Sequence, residues 1–170
     1  MGFIDGIIEK AKSNPKRVVL PETADERVLK AAGDIEARKI AHVVLVGEKD
    51  GVARNLKGLG ISADFEIVDP ATAPWADEFA HAYYEMRKHK GVTEEQAKAA
   101  MSEYIPHGVM LLHKGKADGL VAGAAHSTGD TLRPALQILK TVPGVNIASS
   151  FFFMAFDLSL IHISEPTRPY

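Results

Sequence analysis

Short apolar runs alternate along the chain with longer stretches whose apolar residues recur every three or four positions. Arg17-Val18-Val19-Leu20 is short and continuous, the mark of a strand. Between Ala24 and Ile40, Val28, Ala31, Ala32 and Ile35 line one face of a helix. His42 to Val46 is a second strand, stopped by Gly47, and Asp64 to Val68 a third, closed by Asp69-Pro70. Trp75, Phe79, Tyr83 and Met86 form the stripe of another helix, which ends at Gly91. Thr93 with Gln96 three residues on is a capping box that starts the next. Leu120-Val121-Ala122 predicts a short buried strand between Gly119 and Gly123, Thr131 to Thr141 a helix, and Val145 to Phe156 a last strand.

Strands separated by helices predict an α/β fold: a mainly parallel sheet with helices on both faces, in three layers. The continuous apolar strands agree, because parallel strands are buried on both sides. No internal repeat or low-complexity stretch breaks the pattern, so residues 1–157 read as one domain. A helix ahead of the first strand reads against a preceding domain. The segment from Leu158 to Tyr170 has no period and closes with Pro166 and Pro169. It resembles a translated sequencing adapter, and 158–170 is expected to be a non-native tail that packs against nothing.

Composition narrows the class. Hydrophobic residues are 46% and charged residues 25%, the balance of a soluble globular protein. There is no cysteine, which removes disulfides, thiolate catalysis and cysteine zinc sites. A net charge of -2 offers no bulk attraction to nucleic acid or an anionic membrane. Asp5 and Glu9 interrupt any signal-peptide core, and the run from Phe151 to Phe156 is too short to span a bilayer. Gly6 stands where a myristoylation signal needs Ser or Thr. A cytoplasmic protein is expected.

The richest chemistry lies in Gly123-Ala124-Ala125-His126-Ser127-Thr128-Gly129-Asp130-Thr131-Leu132-Arg133-Pro134, which leaves a strand and opens a helix. Ligands of open parallel sheets sit beyond the carboxyl ends of strands. Free N–H groups at a helix start attract anions, Ser127 and Thr128 offer hydroxyls, and Arg133 offers a forked cation. The segment is not a P-loop, since five residues separate Gly123 from Gly129 and Asp130 replaces the lysine. Two readings stand: an anion site, or an ordinary helix capped by Ser127, Thr128 or Asp130. Pro134 biases Arg133 away from helical geometry and leaves the helix start open. His126 either positions a substrate or fills the turn. Arg87 lies at the edge of the buried stripe, as a site residue or as a snorkelling side chain near a helix end. Glu22, just past the first strand, reads as a cap for the following helix. His42, His81, His89, His107 and His113 have no metal-ligand spacing, and no metal is expected.

Together, Val19-Leu20-Pro21-Glu22-Thr23, Val44-Leu45-Val46-Gly47, Val68-Asp69-Pro70, Tyr84 to Gly91 and Gly119 to Gln137 resemble the phosphate acetyltransferase family, also called phosphotransacetylase. Phosphate butyryltransferases, and the transferase-like regulatory domain of some malic enzymes, share much of this pattern. The resemblance implies transfer of an acetyl group between acetyl phosphate and coenzyme A. Coenzyme A is then a substrate, with no tightly bound cofactor. It implies two α/β domains around a cleft, the first completed from the far C-terminus, in a homodimer. The family's two substrate-site arginines match Arg87 and Arg133, and its phosphate-side loop matches His126, Ser127 and Thr128. Its aspartate base, with a neighbouring serine and arginine, is expected beyond this chain, so no catalytic residue is assigned here and the chain alone is expected to be inactive.

Overall fold

The computed structural model describes residues 2–145, 147, 149, 152–156 and 159–163. The apolar runs pair in parallel, as their two-sided burial requires. Strand β1 (Arg17–Leu20) lies between β2 (His42–Val46) and β4 (Gly119–Leu120), with β3 (Glu66–Val68) outside β2, in the order β3-β2-β1-β4. Val19 stands opposite Val44 on one side and Leu120 on the other, and Leu45 faces Ile67. Successive side chains in β2 therefore enter different cores. Val43 and Leu45 join Leu20, Leu29, Ala32, Val52, Leu56 and Phe65. Val44 and Val46 join Val19, Val68, Phe79, Tyr83, Met101, Val109 and Ile138.

Helices α2 (Glu26–Ala37) and α3 (Lys49–Gly58) supply the first core, and α4 (Ala76–Arg87), α5 (Glu94–Ser102), α6 (Tyr104–His113) and α7 (Thr128–Ile138) the second. Helix α1 (Phe3–Ser13) has no buried residue. The predicted cap of α5 is present: Thr93 Oγ1 accepts from Gln96 N–H, and Gln96 Oε1 accepts from Thr93 N–H. Two helices lack an obvious start in the sequence. Helix α3 opens on Glu48, whose carboxylate accepts from Asp50 and Gly51 N–H. Helix α6 restarts after an extended Glu103 (φ -77, ψ 139) and carries Pro106 in its first turn, where no amide is needed. Among the described residues, no helix is long and apolar enough to cross a membrane.

Three expectations need correction. Strand β4 is two residues long and half-buried, and Val121 beyond it is 62% exposed. Among the described residues β4 pairs with β1 only, and no strand lies on its other side. Helix α7 begins at Thr128 and runs through Pro134, so Arg133 is helical. The proline removes one interior amide, while the Ser127 cap holds the first turn. The expectation of an unpaired tail also fails over part of its length. Strand β6 (Ser159–Ile163) pairs antiparallel with β5 (Phe152–Phe156), from Phe152 opposite Ile163 to Phe156 opposite Ser159. Pro166 and Pro169 lie past the paired stretch and so take no amide from it. The rest of that segment lies outside the described residues.

Candidate functional site

The β1 and β4 ends of the sheet build the site. Because β1 and β4 run parallel, the chain leaving β1 at Pro21-Glu22-Thr23 meets the chain leaving β4 at Gly123 to His126. Glu22 is 4% exposed and Thr23 3%. Glu22 Oε2 accepts the N–H groups of Gly123 and Ala124, both at 2.8 Å. Glu22 Oε1 accepts those of Ala125 at 2.8 Å and His126 at 3.0 Å, and Nδ1–H of the His126 ring at 2.8 Å. Gly123 turns the loop with φ +108, a conformation that L side chains rarely adopt. Burial opposes the Glu22 charge, but the donors from Ala125, the His126 ring, Ala124 and Gly123 outweigh it. They hold the carboxyl at about 2, well below the usual 4.5.

Glu22 is therefore not the cap of α2. Asp25 takes that place, accepting Arg27 N–H at 2.8 Å. The Arg27 guanidinium returns to Asp25 Oδ2 at 2.6 Å and also donates to Ala124 O at 2.9 Å, tying the same loop from outside. The hydrogen bond from the Arg27 side chain is the main reason the Asp25 carboxyl falls to about 2. The four amides of the loop ahead of the helix are thus occupied by an internal anion. What remains open is the next turn.

Ser127 caps α7: its Oγ accepts from Asp130 N–H and donates to Asp130 Oδ2 at 2.7 Å. Thr131 Oγ1 donates to Ser127 O. Thr128 and Gly129, at the first two positions of the helix, have amides with no acceptor inside it. The Arg133 guanidinium folds back over this turn, for a Cβ on Gly129 would stand 3.9 Å from Arg133 Nη2. Arg133 and His126 line a cleft of about 300 Å³ with Asp130, Pro134 and the start of α6, from Glu103 to Pro106. A larger hollow, about 510 Å³, lies beside α2 at Lys30, Gly33 and Ser62, and no candidate residue lines it.

Arg87 is less directly placed. It is the last residue of α4, half-buried, with Nε buried and without a hydrogen-bond partner among the described residues. Tyr83 Oη donates to Gln137 Oε1 at 2.9 Å, which joins α4 to α7. Arg87 lies one turn beyond Tyr83 and Arg133 one turn before Gln137, but no hydrogen bond links either arginine to the other's helix among the described residues. His126, Ser127, Thr128 and Arg133 therefore come together on one segment, with Arg87 on a helix bonded to it. Of the remaining histidines, His107 is fully buried: Nδ1 donates to Met101 O, its ring lies 5.0 Å from Phe79, and burial lowers its pKa. Among the described residues, no group of three or more His, Cys, Asp or Glu could hold a metal.

The pattern of the phosphate acetyl/butaryl transferase family matches residues 2–164. The chain is 50% identical over 154 residues to the phosphate acetyltransferase of Thermoanaerobacterium thermosaccharolyticum, covering 91% of this chain and 47% of that protein. It is 47% identical over 157 residues to that of Acetivibrio thermocellus, covering 91% and 46%. Its structure resembles the EutD phosphotransacetylase from Staphylococcus aureus with a TM-score of 0.84 at 40% identity, over 94% of this chain and 48% of that one. A phosphotransacetylase from Streptococcus pyogenes gives 0.85 at 37% identity, over 91% and 47%. The chain spans about half the length of the curated relatives it matches. From its apolar strands to the loop that follows β4, this chain belongs to the phosphate acetyl/butaryl transferase family.

Proposed function

We propose that the chain forms the phosphate-side half of an acyltransferase that interconverts acetyl-CoA and phosphate with coenzyme A and acetyl phosphate. The observation that carries this is the first turn of α7, where the Arg133 guanidinium approaches Gly129 beside a cleft and the Thr128 and Gly129 amides have no hydrogen-bond acceptor among the described residues. Such a turn attracts an anion, and a guanidinium matches a phosphate with two parallel donors. Ser127 and Thr128 border it, and Arg87 supplies a second cation for phosphate or for the coenzyme. In the reaction the coenzyme thiolate attacks the acyl carbon, and the bond to the phosphate oxygen breaks. Cations and N–H donors stabilise the charge that develops on both oxygens.

Coenzyme A is a substrate in this reading and no cofactor is held tightly. Residues 1–157 belong to the first of two domains, completed by chain beyond them, of a cytoplasmic homodimer that serves acetate metabolism. The base that deprotonates the thiol is supplied by chain outside these residues, since Arg87 and Arg133 cannot take a proton. Two measurements test the reading. Calorimetry of the 170-residue chain with inorganic phosphate should show binding that Arg133→Ala weakens. A thiol-release assay with acetyl phosphate should show no turnover above buffer. Turnover by the chain itself would overturn the placement of the base.

A further inference from the structure

Glu22 already has four backbone donors, which is enough to satisfy a buried carboxylate. The fifth donor, His126 Nδ1–H, adds to this and at the same time orients the histidine. An ionised carboxylate only accepts, so its bond to Nδ1 fixes the proton there. The opposite nitrogen, Nε2, makes no hydrogen bond among the described residues, and the side chain is 47% exposed where it lines the cleft with Arg133. A carboxylate that fixes one imidazole nitrogen and leaves the other facing a cleft is the arrangement that readies a histidine to carry protons.

The charges around the cleft say which task this is. Glu22 from the β1 end is negative and buried. Asp25 and Arg27 from α2 neutralise each other. Helix α6 contributes Glu103 and Tyr104, and α7 contributes Asp130 and Arg133. One guanidinium thus faces two exposed carboxylates and a buried one. Beside Arg133, the His126 imidazole is the other side chain lining this cleft that can turn a ring N–H toward an entering phosphate dianion.

We infer that His126, oriented by Glu22, donates a proton from Nε2 to the phosphate leaving group in the cleft beside Arg133. The inference rests on the acyl-phosphate reading of the site. The proton balance is closed. Coenzyme A thiol and acetyl phosphate dianion become acetyl-CoA and hydrogen phosphate dianion. Sulfur forms a bond to the acyl carbon, the carbon–oxygen bond breaks, and its electron pair passes to the phosphate oxygen. The Nε2 proton goes to that oxygen and leaves a neutral imidazole with Nδ1–H still on Glu22. The proton lost by the thiol restores Nε2 through the base and water. In the reverse direction the neutral Nε2 takes the proton from hydrogen phosphate. His126 touches the reacting phosphate, and Glu22 is a positioning residue.

The test uses the 170-residue chain, ring-15N histidine and inorganic phosphate. Long-range 1H–15N spectra near neutral pH should show Nδ1 protonated throughout, and Nε2 passing from the unprotonated to the protonated shift as phosphate saturates. His126→Ala should weaken phosphate binding by about tenfold, as expected for one charge-assisted hydrogen bond, in a variant that still folds. Glu22→Gln should abolish the single-tautomer signal. If that variant does not fold, the His126→Ala affinity still decides. Phosphate that shifts the Thr128 and Gly129 amides but leaves Nε2 unprotonated overturns the role of His126 and spares the acyl-phosphate reading. No phosphate-dependent shift anywhere in the segment overturns both.

Discussion

Replacing Glu22 by Gln tests the internal anion that shapes the site. The amide keeps one acceptor oxygen and turns an NH2 group toward two of the loop N–H donors, so at least two part-buried amides lose their partner. An unsatisfied buried donor costs about 1–3 kcal/mol. An independent route gives a similar size. Lowering the carboxyl from 4.5 to about 2 corresponds to about 3 kcal/mol of stability, since each unit is worth about 1.4 kcal/mol. The sign follows from linkage. The folded-state value is depressed, so between 2 and 4.5 the unfolded chain binds more protons. The stabilisation is complete above the unfolded value and is lost as pH falls toward 2. Urea unfolding of both proteins at neutral pH should give a difference of about 3 kcal/mol, which narrows steadily on acidification below 4.5. Equal stabilities at neutral pH, or a gap that does not close in acid, would falsify the assignment of Glu22 as the ionised partner of the loop.

Three further outcomes follow from the geometry. Arg133→Ala should reduce phosphate affinity by one to two decades, about 1.5–3 kcal/mol, and Arg133→Lys should recover only part because it keeps the charge and loses the fork; calorimetry of folded variants reads this directly. Gly123→Ala meets no steric neighbour, yet the φ of +108 makes it destabilising by about 1–3 kcal/mol, visible in a denaturation curve. Deleting 158–170 removes β6, but among the described residues the hairpin forms a sheet of its own, so the main thermal transition should move by no more than about 2 °C. A larger shift would show that the hairpin supports the domain.

The amino-acid pattern was enough for whatever depends on local period. The continuous runs at Val18 to Leu20 and His42 to Val46 predict strands buried on both sides, and the structure pairs them in parallel at the sheet centre. Thr93 and Gln96 carry their capping geometry in three residues of sequence. Edges are another matter. Leu120 to Ala122 has the composition of a buried strand, but burial depends on a neighbour that only the sheet order supplies. Pro134 weighs locally against a helical Arg133, and the helix runs through it because the Ser127 cap and the Ile138 anchor act on the whole turn series.

The site divides in the same way. Ser127, Thr128 and Arg133 could be named as candidates because one strand–loop–helix segment holds them together in sequence, and the small residues before them advertise close backbone approach. Glu22 was not legible. Its partners lie 101 to 104 residues away, and nothing in Leu20-Pro21-Glu22-Thr23 distinguishes a cap from an internal anion. Only the parallel pairing of β1 with β4 sets the two strand ends side by side, and that pairing decides that the loop amides are filled from within. The sequence alone determined which residue types and which local periods were available. Tertiary structure decided which amides stay open to a ligand, because a hydrogen bond across 100 residues is set by the sheet order and leaves no local period to read.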